Sequence, residues 1–170
     1  MLEEQGIEFD NIITMKTAYE SNREESTKVA AGYTFFYFYK ESAHAAVSIE
    51  REMLTGKSDL DKEDYEYLND IRKYLALIHE IAHVKDFRLK RNINWVTGKT
   101  DLIKAEIFAE ISTLKYLTKN SSIYNKYARK LYSERLIDYL NCTDIYHREI
   151  AMGVTKKLTL KKLKQWATAI

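Results

Sequence analysis

A long helical pattern between Asp61 and Leu89 constrains the fold of this chain more than any other feature. Apolar residues recur along it at spacings of three or four, at Leu68, Ile71, Leu75, Ile78 and Ala82. Further apolar residues widen this stripe until the segment is apolar nearly all round. Because a helix of that kind is stable only when most of its surface is covered, the sequence predicts one central, buried helix.

Two runs of strand-forming residues precede this helix. A polar stretch over residues 21–27 indicates a loop or a fraying helix, and the run 29–39 that follows is rich in aromatic and β-branched residues. In the second run, 43–50, Val47 and Ile49 lie on the same face, as in a strand with one buried side. The pattern predicts a β-hairpin, and the alternative is a helix that continues past residue 50.

Shorter helices are predicted after the long one. A polar loop over residues 88–99 leads to a helix from about Asp101 to Leu117, and another helix extends from about Ser122 to Leu140. The tail, 143–170, predicts one or two short helices broken near Gly153. We therefore expect an α+β fold in a single domain over residues 1–170, with a small N-terminal sheet and a helical C-terminal half.

Composition limits the class of protein. The chain has 27 basic and 25 acidic residues and a net charge of +2, so we expect no nucleic-acid partner from overall charge. No stretch approaches the roughly 18 apolar residues that span a bilayer, and the acidic N-terminus does not resemble a secretory signal. We expect a cytoplasmic protein without a membrane span, and abundant Lys, Ile, Tyr and Asn are typical of a phage or low-GC bacterium. Because Cys142 is the only cysteine, any metal site must use His and carboxylates.

The long helix carries the pattern H-E-x-x-H at His79, Glu80 and His83. Residues four apart share a helix face, so both imidazoles can point at one metal ion, while Glu80 lies about 100° round the helix. Two neutral His ligands, an open position for water and a nearby carboxylate are what zinc-dependent hydrolysis requires. The sequence predicts a Zn²⁺ site in which Glu80 is the general base, and a polar stripe without metal is the alternative.

Catalytic zinc usually takes three protein ligands, so a third must come from outside this motif. The next predicted helix offers Glu106 and Glu110, which are four residues apart and share one face.

These residues resemble the zincin metallopeptidases, and more narrowly the gluzincins. The resemblance implies that Glu106, 23 positions after His83, is the third zinc ligand, and that Glu110 orients a His from the second shell. In small intracellular zincins the ligand Glu lies near a Phe-Ala pair. Here Phe108 and Ala109 form such a pair after Glu106. Glu110 remains the alternative third ligand.

The resemblance to zincins also implies how the substrate and the transition state are bound. It implies an oxyanion donor, for which Tyr146 and His147 are the candidates. It implies further that the strand over 43–50 pairs with an extended substrate, unless the hairpin belongs only to the core. The expected partner is a protein or peptide substrate, and the absence of a signal favours one specific intracellular target. The sequence indicates no oligomeric state.

The final segment is basic and amphipathic. Five lysines alternate with Leu and Trp between Lys156 and Trp166. This pattern predicts a last helix that packs Leu158, Leu163 and Trp166 on the core and leaves its lysines in solvent. The alternative is that these lysines bind an acidic partner, nucleic acid or an anionic membrane surface, so that the chain is a non-catalytic interaction module.

Overall fold

The computed structural model describes residues 32–39, 42–49, 61–94, 99–120 and 122–169. These residues form five helices and two small antiparallel ladders: β1 Gly32–Tyr39, β2 Ser42–Ile49, α1 Lys62–Arg88, β3 Ile93–Asn94, β4 Lys99–Thr100, α2 Leu102–Lys119, α3 Ile123–Asn141, α4 Ile145–Lys157 and α5 Leu160–Thr168. Helices predominate beside a small sheet, in keeping with an α+β class. None of the helices in these ranges is both long and apolar enough to cross a membrane.

The chain divides into two compact units, Met1–Val84 and Lys85–Ile170, and the division falls inside α1. The single domain over residues 1–170 stays a prediction. The predictions for residues 21–27 and for the first residues of the run 29–39 lie outside the described part of the chain.

The first unit contains the predicted hairpin. Strands β1 and β2 pair antiparallel, with Gly32 opposite Ile49. Val47 is buried in a cluster with Ile81 and Val84 of α1, and Ile49 packs against the same cluster. The alternation of the second run therefore reflects a strand with one face on α1, and the predicted hairpin is confirmed in place of the helical alternative.

Helix α1 begins where the sequence predicts. The Asp61 carboxylate accepts a hydrogen bond from the backbone N–H of Asp64 at 2.9 Å, and acidic residues in the first turn suit the positive end of the helix. The first two turns are mostly exposed, whereas most residues from Ile71 to Phe87 are buried. The predicted buried helix is confirmed for these later turns, which include the H-E-x-x-H motif.

The end of α1 lies in the second unit and has a local cause. Lys90 adopts a left-handed conformation (φ 51°), and the N–H groups of Lys90 and Arg91 donate back to the carbonyls of Phe87 and Asp86. The buried Asp86 carboxylate then accepts from the backbone and side-chain N–H groups of Asn92, at 3.0 and 3.1 Å. This reversal leads into the short β3–β4 ladder, within the predicted loop.

Helices α2 to α5 begin at residues whose side chains cap them. Asp101, Ser122, Asp144 and Thr159 each accept a hydrogen bond from an N–H of the first turn. Because these caps can be recognised locally, the predicted starts of α2 and α3 agree with the structure. The predicted last helix is confirmed as α5, in which Leu163 is fully buried, but Leu158, predicted to pack with it, caps α4 and lies before α5.

The predicted break near Gly153 is wrong, because α4 continues through this residue and ends at Lys157. A Cβ atom at position 153 would lie 2.1 Å from Cδ1 and 2.7 Å from Cγ1 of Ile107 on α2. Gly153 therefore allows α4 and α2 to approach closely. The interruption follows instead at Leu158, before the Thr159 cap of α5.

Replacing Gly153 by alanine tests this packing. At an open helical position this change stabilises a protein by about 1 kcal/mol, but here we expect overpacking to destabilise it by about 1–3 kcal/mol. Urea unfolding measures the difference. In an Ile107→Ala background the penalty should largely disappear, and strictly additive effects of the two changes would refute the contact.

Candidate metal centre

The two motif histidines lie together on α1. Their Nε2 atoms are 3.1 Å apart, and the ring centroids are separated by 4.8 Å with the planes at 78°. His83 is buried, and His79 is half-buried. The four-residue spacing thus directs both imidazoles at one point, as the sequence predicts.

This pair fits two corners of a zinc site. In a tetrahedral site with Zn–N distances of about 2.1 Å, two nitrogen ligands lie about 3.4 Å apart, close to the separation between these Nε2 atoms. Without a metal the same separation is a hydrogen bond, in which the ring that carries the Nε2 proton donates to the other. The geometry suits metal binding but does not require it.

The carboxylate of Glu80 is held by the hairpin. The residue is only 7% exposed, and its Oε2 accepts a hydrogen bond from the hydroxyl of Thr34 on β1 at 2.7 Å. The same hydroxyl lies 3.1 Å from the backbone carbonyl of Glu80. A hydroxyl bond to a charged carboxylate is among the stronger hydrogen bonds in proteins, so it restricts where this side chain points.

A glycine on β1 makes room for this carboxylate. A Cβ atom at Gly32 would lie 2.9 Å from Cγ and 3.2 Å from Oε1 of Glu80, and 2.9 Å from Cδ1 of Ile49. Cβ atoms essentially never lie within 3.0 Å of such atoms, so the lack of a side chain at residue 32 allows β1 to lie this close to Glu80. Gly32 and Thr34 together set the surroundings of Glu80.

The two acidic residues of α2 differ in their surroundings within the second unit. Glu110 is buried, and both its carboxylate oxygens accept hydrogen bonds from Nη2 of Arg135 at 2.9 Å. Burial lowers the pKa of Arg135, but the Glu110 carboxylate and neighbouring tyrosines raise it more, so the guanidinium stays charged. The predicted orientation of a His by Glu110 stays a prediction, whereas its ion pair with Arg135 is observed.

Aromatic rings complete the setting of this ion pair. The Arg135 guanidinium lies 4.2 Å from the ring centroid of Tyr132 and 5.5 Å from that of Tyr139. Burial and the Glu110 charge raise the pKa of Tyr132 well above its usual value, so its phenol stays protonated.

Known proteins do not identify a family for this chain. No family model, curated protein or solved structure matches it. The likeness to zincins therefore stays a prediction from the sequence, and a functional assignment depends on the side chains themselves.

The predicted oxyanion donors lie in the first turn of α4, in the second unit. Tyr146 is partly exposed, and its pKa is raised first by burial and then by the negative charge of Glu106 on α2. His147 is already engaged, because its Nδ1 lies 3.3 Å from Oδ2 of Asp144 and its ring stacks on Tyr139. The charge of Glu106 thus acts on Tyr146, while His147 interacts with the cap of its own helix.

Sequence reasoning missed Gly32, Thr34 and Arg135. Thr34 is 46 positions from Glu80, and Arg135 is 25 positions from Glu110, so no local spacing connects either pair. The available signals were indirect: a glycine at the start of a strand and a buried acid that requires a cationic partner.

Proposed function

We propose that this chain is a zinc-dependent, zincin-like peptidase that hydrolyses peptide bonds of an intracellular protein target. The observation that carries the proposal is that the Nε2 atoms of His79 and His83 lie 3.1 Å apart on the buried part of α1. The residue after His79, Glu80, has its carboxylate held by a hydrogen bond. A bound zinc ion would polarise the scissile carbonyl and bring the pKa of water to about 7.

We propose His79, His83 and Glu106 as the metal ligands. The sequence spacing leaves Glu106 and Glu110 as candidates for the third position. To bind the metal, Glu110 would have to leave the guanidinium of Arg135, to which both its oxygens are bonded, and the half-buried guanidinium would lose its carboxylate partner. This cost favours Glu106.

The remaining roles are assigned to Glu80, Thr34 and Tyr146. Glu80 takes the proton of the attacking water and passes it to the leaving amine, a role that typically contributes ~10² to 10⁴ in rate. Thr34 keeps the Glu80 carboxylate in one orientation through its 2.7 Å hydrogen bond. Tyr146 is proposed as the donor to the oxyanion in preference to His147, which is engaged by Asp144.

Metal content is the first test of this proposal. We expect the purified chain to hold one equivalent of zinc by elemental mass spectrometry, and His83→Ala to weaken zinc binding by at least ~100-fold. His44→Ala, which removes a histidine from β2, is the matched control and should keep its zinc. If the wild-type chain binds no zinc, the peptidase proposal fails, and a non-catalytic role with a His–His hydrogen bond takes its place.

Hydrolysis is the second test. The zinc-loaded chain is incubated with a peptide library prepared from a bacterial proteome, and new peptide termini are identified by mass spectrometry. We expect cleavage at a narrow set of sequences, lost with a chelator and restored by zinc. Full zinc occupancy without any new terminus, in the library or in intact cytoplasmic proteins, would keep the metal site but overturn the peptidase.

A further inference from the structure

A dense group of uncompensated positive charges lies at the junction of α4 and α5. We call Lys156, Lys157, Lys161, Lys162 and Lys164 the lysine surface, and all five are exposed. No Asp or Glu follows Glu149 in the sequence. Among the described residues none of the five lysines forms an ion pair. A chain with a net charge of +2 therefore concentrates +5 within nine residues.

Most of the apolar surface of α5 is not available to a partner, and among its large apolar side chains only Leu160, at the first position, is exposed. Leu163 is fully buried, and the ring centroid of Trp166 lies 5.3 Å from the Arg129 guanidinium and 5.0 Å from Nζ of Lys162. Helix α5 is thus attached to the second unit through its apolar face. The lysines are held on a fixed helix surface rather than on a free tail.

The lysines at the start of α5 occupy an unfavourable position in the isolated chain, whereas Lys156 and Lys157 lie in the last turn of α4, where the helix dipole favours cations. Lys161 and Lys162 lie in the first turn of α5, which contains no acidic residue. The positive end of a helix disfavours nearby cations, and neighbouring lysines also repel one another. Residues that lower stability without a compensating contact are often found at binding sites. Here the partner would be one that supplies negative charge.

We propose that the lysine surface binds the phosphate backbone of nucleic acid. An anionic membrane is the less favoured partner, because a helix that lies on a bilayer buries its apolar face in the lipid. The face of α5 that carries Leu163 is already buried within the protein. Phosphate binding by lysine needs only exposed charge at close spacing. This binding is independent of the proposed peptidase activity, although it would bring such an activity to targets on nucleic acid.

Salt-dependent binding to a labelled 20-base-pair duplex of mixed sequence tests the proposal. Fluorescence anisotropy is measured for the full chain between about 50 and 200 mM salt, and all five lysines together should give a log–log slope of up to about −4.5, at ~0.9 per neutralised phosphate. For Lys161→Gln, Lys162→Gln and Lys164→Gln combined, we expect the slope to become shallower by about 2 to 3. Circular dichroism verifies that this exposed triple variant remains folded.

A charge-matched control separates a local surface from overall charge. Lys99→Gln, Lys115→Gln and Lys119→Gln combined change the same number of exposed lysines elsewhere and should leave the slope nearly unchanged. Equal effects of the two triple variants would overturn the proposal, as would the absence of duplex binding at the lowest salt. Binding to vesicles of phosphatidylserine and phosphatidylcholine but not to duplex DNA or RNA would also overturn it, in favour of a membrane surface.

Discussion

Replacing Glu80 by glutamine should lower kcat for peptide hydrolysis by about 10² to 10⁴-fold and leave one equivalent of zinc bound. The amide has nearly the shape of the carboxylate but cannot accept the proton of the attacking water. Because Glu80 is assigned no contact to the metal, the two histidines keep their ligand positions. Steady-state kinetics on a cleaved peptide, together with elemental analysis of the same sample, measure both quantities.

Two companion variants distinguish chemistry from packing. Glu66→Gln changes an exposed acid of the same helix and should leave kcat unchanged. Thr34→Val removes the hydroxyl that holds the Glu80 carboxylate, so we expect a smaller loss in kcat with KM nearly constant, and Thr34→Ser should recover most of it. If Glu80→Gln retained wild-type kcat with zinc bound, the general-base assignment would be falsified.

Replacing Arg135 by methionine should destabilise the protein by about 2–4 kcal/mol. The Glu110 side chain is 5% exposed and would lose the guanidinium that neutralises it, which is among the most costly changes in a folded protein. The range lies below the full cost of breaking a buried pair, because the Arg135 side chain is 40% exposed and solvent screens part of the interaction. Urea unfolding at pH 7 measures the change.

The reason for this loss can be examined with a second substitution. In Glu110→Leu the buried charge is absent, so Arg135→Met should cost far less in that background. Arg148→Met removes an exposed guanidinium from α4 and should stay within about 0.5 kcal/mol of the wild type. A loss of less than 1 kcal/mol for Arg135→Met alone would show that Glu110 finds other compensation, and it would reopen Glu110 as a candidate metal ligand.

The course of the backbone could be predicted largely from local patterns. The alternation of Val47 and Ile49 indicated a strand, and the spacing of apolar residues indicated a helix from Asp61 to Leu89. The direction of the side chains repeats with a different period in strands and in helices. Each period follows from the backbone geometry of a few consecutive residues, so both can be recognised in a short stretch of sequence. Capping by Asp101 and Ser122 is equally local, so the starts of α2 and α3 were predicted well.

The predictions were wrong where the packing of a residue depends on another residue that is distant in the sequence. Gly153 disfavours a helix by its intrinsic propensity, yet α4 continues through it, and Ile107 of α2 fills the space that a side chain there would need. The lysines of the final helix were correctly expected to lie in solvent. That none of the five is paired with an acid of the described chain depends on how α4 and α5 pack, which no sequence window contains.

The sequence by itself determined that His79 and His83 share a helix face with Glu80 beside them, because four residues are close to one helical turn. Only the tertiary structure decided that the Glu80 carboxylate meets Thr34 and lies over Gly32, and that Glu110 is neutralised by Arg135. The physical reason is the range of the interactions. Backbone hydrogen bonds and apolar periodicity act over a few residues, whereas a buried carboxylate finds its partner only when packing brings distant segments of the chain together.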